Sequence, residues 1–389
     1  MPIFELLFWV CVGLVAYGYI GYPLILGLVS LLTSRTLKRR QTPTVSLVIC
    51  AYNEADVISR KLENCLALDY PEEQLEIIVA SDGSTDGTDE AVERFASRGV
   101  RLLRPFAERR GKAEMLNEAI RQSTGGIVVL SDARQTFERD ALLELVANFA
   151  DPTIGAVSGE LHLDSASSTA VSEGVSLYWR YEKTIRKLES KVDSVVGATG
   201  AIYAIRRKLF RPLPPQTTLD DVAIPMRIVM QGYRVAFEPN AKAHDRAAST
   251  SSEEWRRKVR TLAGNYQLVA LMPQLLNPFR NRVFFQFVSH KILCRLLVPF
   301  ALIGALVSNL FLLSGFYRFT LLAQLAFYAL GTLGLLLESR TGHLRFLALP
   351  NTLILLNASA VVGLIHYLTV QPMAVWKKAG SRDARGSGS

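Results

Sequence analysis

Cysteine is scarce in this chain. Its four residues (Cys11, Cys50, Cys65, Cys294) show no CxxC spacing, which excludes a disulfide-stapled scaffold and a zinc ribbon. They read as buried free thiols in a reducing compartment. No nucleic-acid-binding motif accompanies the net charge of +9. The basic residues cluster beside apolar runs, so the charge points to anionic lipid headgroups or a phosphate substrate and not to nucleic acid. Charge is itself missing from the amino-terminal stretch: Phe4 to Leu32 carries none after Glu5, and the run is long enough to cross the ~30 Å hydrocarbon core. It has no basic n-region and no clear small-residue cleavage site, which argues against a signal peptide.

What is present is unevenly distributed. Hydrophobic residues make up 49% and charged residues 20% of the 389, and the two populations occupy different regions. Residues 1–40 read as a transmembrane helix and basic linker, 41–252 as a soluble α/β domain and 253–292 as basic and interfacial helices. Residues 293–378 read as two or three spans, and 379–389 as a flexible tail. Lys38, Arg39 and Arg40 follow the first span. The positive-inside bias then expects the amino terminus outside and the next domain in the cytoplasm, at a cell inner or plasma membrane crossed several times. Cys294–Leu313, Leu321–Leu337 and Phe346–Val370 are the later candidates. A third span leaves Lys377 and Lys378 outside, against the same rule, so either the last segment is re-entrant or the rule fails here.

Within the soluble region, Val45–Cys50 reads as an apolar run of the kind buried in parallel sheets, and Leu75–Ala80 as a second buried strand. Val100–Leu103 and Ile127–Leu130 read as third and fourth strands. Between them, Val57, Ile58, Leu62 and Leu66 mark one helical face. Asp86 is placed to cap a helix running to Arg98, with Gly99 at its end. Lys112–Ser123 is a further helix. The alternation predicts a doubly wound, mostly parallel sheet, whose ligands bind beyond the carboxyl ends of the strands.

The residues at those ends carry the chemistry. Ala51-Tyr52-Asn53-Glu54 follows the first strand, Ser81-Asp82-Gly83-Ser84-Thr85-Asp86-Gly87-Thr88 the second, and Ser131-Asp132-Ala133-Arg134 the fourth. One acidic turn alone is ordinary helix capping. Three at one edge can receive a base or ribose, or hold a divalent cation by oxygen. Arg109-Arg110-Gly111-Lys112 precedes a helix amino terminus, where free N–H groups favour a diphosphate, although a solvated basic turn has the same composition. Thr199-Gly200-Ala201 is small enough for another molecule to approach the backbone. Asp220 and Asp221 precede an apolar helix, as a cap or as a general base for an attacking hydroxyl. Arg257 and Arg260 share a helix face, suited to a leaving diphosphate or to lipid headgroups.

The order Tyr-Asn-Glu, Asp-Gly-Ser-x-Asp-Gly-Thr, Gly-Lys, Ser-Asp-Ala, an acidic pair and Arg-x-x-Arg resembles the family 2 inverting glycosyltransferases of the GT-A fold. These include the cellulose, chitin, hyaluronan and poly-N-acetylglucosamine synthases. The likeness runs from about Val45 to Gln267. It implies that Tyr52, Glu54 and Asp82 hold the nucleotide base, that Lys112 meets the diphosphate, and that Asp132 is the first acid of Asp-x-Asp. It further implies that Asp221 is the catalytic base and that Arg257 and Arg260 match the Gln-x-x-Arg-Trp element; the small residues Thr199 and Gly200 are expected on the acceptor side. The expected reaction is an inverting in-line displacement on a nucleotide-diphosphate sugar, UDP by resemblance. The acceptor would be a saccharide or lipid-linked, and the product a polysaccharide or glycolipid; a homo-oligomer or an export partner is compatible with this.

Three departures qualify the resemblance. Arg134 stands at the second acid of Asp-x-Asp, Leu219-Asp220 replaces Thr-Glu, and Thr261 replaces the Trp that lines the acceptor site of polymer-making relatives. Arg134 leaves two readings of the cofactor: Asp132 binds Mg²⁺ or Mn²⁺ with phosphate and water, or the guanidinium takes over part of the cation's task. The loss of Trp weakens processive synthesis relative to single transfer onto lipid. An inactive nucleotide-sugar-binding subunit is the alternative reading, though it would need no base. A transporter is disfavoured, because the apolar runs hold few ionisable residues.

Overall fold

The computed structural model describes residues 2–33, 37–106, 108–164, 170–246, 251–336 and 347–369. Lys377, Lys378 and the predicted tail fall outside them. The strands are β1 (Val45–Ala51), β2 (Leu75–Ser81), β3 (Val100–Leu103), β4 (Ile127–Asp132), β5 (Thr136–Phe137), β6 (Ile154–Asp164), β7 (Tyr203–Arg206) and β8 (Arg234–Arg246). Around them lie α2 (Ala55–Leu66), α3 (Thr88–Glu93), α4 (Lys112–Gln122), α5 (Ala141–Ala147), α6 (Ala170–Val192) and α7 (Asp220–Val229). Helix α1 (Pro2–Ser30) precedes the domain; α8 (Ser251–Leu271), α9 (Phe284–Leu310), α10 (Gly315–Leu336) and α11 (Ala348–Thr369) follow it.

The strands form one sheet in the order β3-β2-β1-β4-β7-β6-β8-β5. Pairs β1–β2, β1–β4, β2–β3 and β6–β8 are parallel, whereas β7 runs antiparallel to both neighbours and β5 is antiparallel to β8. The predicted doubly wound half is thus joined, through β7, to a second half that the apolar pattern did not show. Alternation along β1 explains the burial on both faces: Val45, Leu47 and Ile49 point to the core under α2 and α5, while Val48 points to the core under α4 and α7. The predicted helix from Asp86 to Arg98 is shorter than expected. Its α-helical part ends at Glu93, and a 3-10 turn, Ala96–Arg98, carries the chain to Gly99 at φ 85°.

Helices α1, α9, α10 and α11 are each long and apolar enough to cross a membrane. The span expected from Cys294 begins earlier, at Phe284. The sequence reads residues 253–292 as basic and interfacial, yet Ser289 and His290 among them are buried. His290 Nδ1 lies 2.8 Å from Glu189 Oε1 on α6, and the Tyr22 hydroxyl of α1 donates to the same oxygen at 2.5 Å. Arg295 and His290 both meet Glu182, also on α6. One charged, buried cluster therefore ties two apolar helices to the soluble domain. Helices also meet by close backbone approach: a Cβ at Gly363 of α11 would lie 3.1 Å from the Ala263 nitrogen of α8.

Candidate active site

Strand register brings the separated turns together. Ala51 pairs with Ser81 and Cys50 with Asp132, so Tyr52, Asp82 and Asp132 leave the sheet at one edge. Leu130 pairs with Tyr203 of the antiparallel β7; the residues entering β7, Thr199 and Gly200, therefore sit over the end of β4. Helix α7 delivers Asp220 and Asp221 to the same place.

On one side is a crevice of about 70 Å³, walled by Tyr52, Glu54, Asp82, Arg109, Lys112 and Asp132, with Arg134 at its rim. The guanidinium of Arg109 lies over the Tyr52 ring, 3.6 Å from its centroid, a cation–π contact. Asp82 accepts from the backbone N–H groups of Arg110 (2.7 Å) and Gly111 (2.9 Å). It fastens the basic loop to the sheet, a task the sequence did not suggest for it. Gly111 takes φ 94°, a conformation that favours glycine, and Lys112 then opens α4. A second clasp was also missed. Asn53, at φ 52°, accepts from the Thr85 N–H through its side-chain oxygen at 2.8 Å, joining the first two turns. Its signal was the tolerance of Asn for left-handed backbone.

The Lys112 ammonium stands between two acids, 2.7 Å from Asp132 Oδ1 and 3.2 Å from Asp220 Oδ1. Burial would raise the Asp132 carboxyl, but Lys112, then Arg134 and Arg260, hold it below the usual range. Asp220 is buried, with the Tyr203 hydroxyl 3.3 Å from its second oxygen.

Asp221 differs from its neighbour. Its pKa is pushed up to about 6, first by burial and then by the charge of Asp220. Its carboxylate accepts from the Gly200 N–H at 3.1 Å. Its carbonyl has a partner for a sequence reason. Pro225 lies inside α7 and has no N–H to give to the residue four back; the Ala198 N–H takes that carbonyl instead, at 2.7 Å. The small-residue segment thus holds Asp221 at two points. A Cβ on Gly200 would lie 3.4 Å from Asp221 Oδ2 and 3.7 Å from Asp132 Oδ2, so both carboxylates face the open surface of Gly200.

Beyond them opens a cavity of about 650 Å³, which shares Lys112, Asp132 and Arg134 with the crevice. Arg257, Arg260 and Thr261 of α8 line it, as do Thr199 and Gly200. Arg257 is ion-paired to the buried Glu254. Burial lowers Arg260, with Asp132 acting in the opposite sense. Tyr52, Glu54, Asp82, Lys112, Asp132 and Arg134 therefore border the crevice, and Thr199, Gly200, Asp220, Asp221, Arg257 and Arg260 the cavity, whereas Asn53, Asp86 and Arg110 line neither. The sequence missed the far wall: Tyr178, Trp179 and Glu182 of α6, Lys258 of α8 and Lys291 of α9. Lys258 lies 4.5 Å from the Tyr178 ring centroid, and burial pushes it down to about 8 against the pull of Glu254.

Among the described residues no three His, Cys, Asp or Glu side chains converge as metal ligands. Asp132 offers a carboxylate: Lys112 takes its Oδ1, and its Oδ2 faces the same Gly200 surface as Asp221 Oδ2. Small divalent cations are often held by one or two carboxylates with substrate phosphates and water. The residues fit a cation that arrives with a diphosphate, not a site built from protein alone.

Residues 43–264 match the model of the glycosyltransferase-like family 2. The chain is 28% identical over 229 residues to the poly-beta-1,6-N-acetyl-D-glucosamine synthase of Staphylococcus aureus strain MSSA476, covering 58% of this chain and 55% of that protein. It is 28% identical over 260 residues to the probable glycosyltransferase YdaM of Bacillus subtilis strain 168, covering 63% and 61%. The chain thus spans little more than half the length of these curated relatives. A mannosyltransferase from Pyrobaculum calidifontis, solved with GDP-Man and Mn²⁺, superposes with a TM-score of 0.71 at 26% identity, covering 94% of this chain and 99% of that one.

Proposed function

As the chain belongs to the glycosyltransferase-like family 2, we propose that it transfers a sugar from a nucleotide-diphosphate donor to a saccharide or lipid-linked acceptor, with inversion. The single observation that carries this reading is the opposition of Asp221, a carboxyl raised to about 6, to the cations Lys112 and Arg260 across one space. A general base works best when its pKa lies near the working pH, and a diphosphate leaving group needs positive charge. Nothing observed favours the alternative of an inactive binding subunit, for which a base so tuned has no use.

In this reading Tyr52, Glu54 and Asp82 border the nucleotide base. The loop 109–112 and the amino terminus of α4 receive the diphosphate, with Lys112 leaving Asp132 to meet it. Arg257 and Arg260 close over the same phosphates from α8. Asp221 takes the proton from the acceptor hydroxyl, whose oxygen attacks the anomeric carbon from the face opposite the leaving phosphate. An α-linked donor thereby gives a β-linked product. Thr199 and Gly200 let the acceptor approach the backbone. Asp132 is the residue that would hold Mg²⁺ or Mn²⁺; such a cation neutralises phosphate charge. Four helices long and apolar enough to cross a membrane, with the basic linker after the first, support a multi-pass protein whose catalytic domain lies at the cytoplasmic face.

The test is donor turnover. Purified full-length protein in detergent is offered radiolabelled UDP-sugars, with GDP-mannose included because the Pyrobaculum structure holds it. Release of nucleoside diphosphate with transfer of label is expected. If no donor is consumed under any acceptor condition, the reading fails.

A further inference from the structure

The large cavity does not stop at the soluble domain. His290, Lys291, Cys294, Arg295 and Pro299 carry it along α9, and Leu349, Leu353 and Leu356 along α11. The wall therefore changes in kind from the Asp221 end to the far end. It begins with carboxylates, passes a belt of cations and aromatic rings, and ends on leucines of helices long and apolar enough to cross a membrane.

Cations outnumber acids along the wall. Eight Lys or Arg side chains line the cavity against five Asp or Glu. Arg186 and Arg295 pair with Glu182, but among the described residues Lys291 has no hydrogen-bond or ion-pair partner. It sits on an apolar helix, where an ionisable residue is costly and marks function. Lys258, 3.6 Å from the buried Glu254, lines the same cavity near the ring of Tyr178.

We infer that the acceptor is a membrane lipid whose headgroup carries a phosphate and, beyond it, a free hydroxyl. This inference rests on the glycosyl-transfer reading above and names its acceptor class. The tail lies along Leu349, Leu353 and Leu356. The phosphate meets Lys291 and Lys258, and the hydroxyl reaches Asp221. The nucleophile is a hydroxyl and not the phosphate itself, because a phosphate oxygen already ionised has no proton for Asp221 to remove. In the transfer, the hydroxyl oxygen bonds to the anomeric carbon and its proton passes to Asp221. The bond from that carbon to the donor phosphate breaks, its electron pair leaving with the nucleoside diphosphate.

The experiment uses full-length protein in nanodiscs with radiolabelled UDP-sugars and GDP-mannose. Three acceptors are compared: a prenyl-diphosphate-linked saccharide, a phosphatidyl polyol and a soluble oligosaccharide. Label entering the organic phase from either lipid arm supports the inference, and the arm identifies the source of the phosphate. Lys291→Met is expected to raise the KM for the lipid ~10-fold, the scale of one charge-assisted contact, with Lys291→Arg recovering most of it. Leu353→Trp, which fills the tail end, should lower lipid transfer. Nucleoside diphosphate release with label only in soluble or gel-retained polymer overturns the lipid acceptor and leaves glycosyl transfer standing. No donor consumption at all overturns both. An unchanged KM for the lipid in both Lys291→Met and Leu353→Trp also overturns it.

Discussion

The Nζ of Lys112 lies 2.7 Å from Oδ1 of Asp132, so the site holds a cation of its own against the first acid of the Asp-x-Asp position. Lys112→Met leaves Asp132 and the buried Asp220 without that charge. Breaking a buried pair from one side typically costs about 3–5 kcal/mol; partial exposure of Lys112 places this variant at the low end. A lower thermal unfolding midpoint is expected, together with weaker nucleotide-sugar binding by calorimetry. Lys112→Arg should retain more of both. A Met variant that binds donor as tightly as the parent removes Lys112 from the diphosphate.

Asp221 sets the pH profile. A base must be deprotonated to act, so the rate should rise with pH through about 6 and level off above it. Asp221→Asn should lower transfer by roughly 10²–10⁴-fold and abolish that acidic limb, with donor affinity largely kept. Near-normal turnover in the Asn variant, read by product formation over a pH series, assigns the proton to another group.

Much of the site was legible in sequence because it rests on local rules. Val45–Ala51 and Leu75–Ser81 are mostly apolar, with Ser46 and Glu76 among them, and the acidic turns follow them directly. The antiparallel β7 and the long β8 were not legible, since their pairing depends on a partner far along the chain and not on period. The start of α9 was misplaced for a related reason. The mix of basic and apolar residues up to 292 reads as interfacial, but Ser289 and His290 are buried, and the Glu182 and Glu189 that satisfy His290 stand on α6. The identity of Asp221 as the raised member of its pair was also hidden. Both acids sit in one turn of helix, and only the fold gives Lys112 to Asp220.

Chelation tests the cation. With no cluster of three protein ligands among the described residues, the cation is held largely by substrate, and the site should lose activity in EDTA and regain it with Mn²⁺. Arg134→Asp restores a second acid beside Asp132 and should lower the Mn²⁺ concentration for half-maximal activity, by ~10-fold if the new oxygen becomes a ligand. Full turnover in EDTA would take the metal out of the reaction.

The cluster on α6 makes a separate prediction about assembly. Glu182 is buried and meets both Arg295 and His290 of α9. Glu182→Leu strands the charge on Arg295, and a loss of about 3–5 kcal/mol is expected for an unpaired buried charge. The measurement is the unfolding midpoint in detergent. Glu182→Leu combined with Arg295→Met should recover part of the loss; a double variant no better than the single one would show that the pair does not act as a unit.

Gly363 has a consequence beyond packing. It lets the backbone of α11 rest on that of α8 near Ala263, and α8 is the helix that presents Arg257 and Arg260 to the cavity. A tilt of α11, the usual response of a span to a thicker or thinner bilayer, would be passed to those arginines with little slack between. Lipid chain length would then act as a control on catalysis, and the surrounding bilayer would set turnover as well as house the protein.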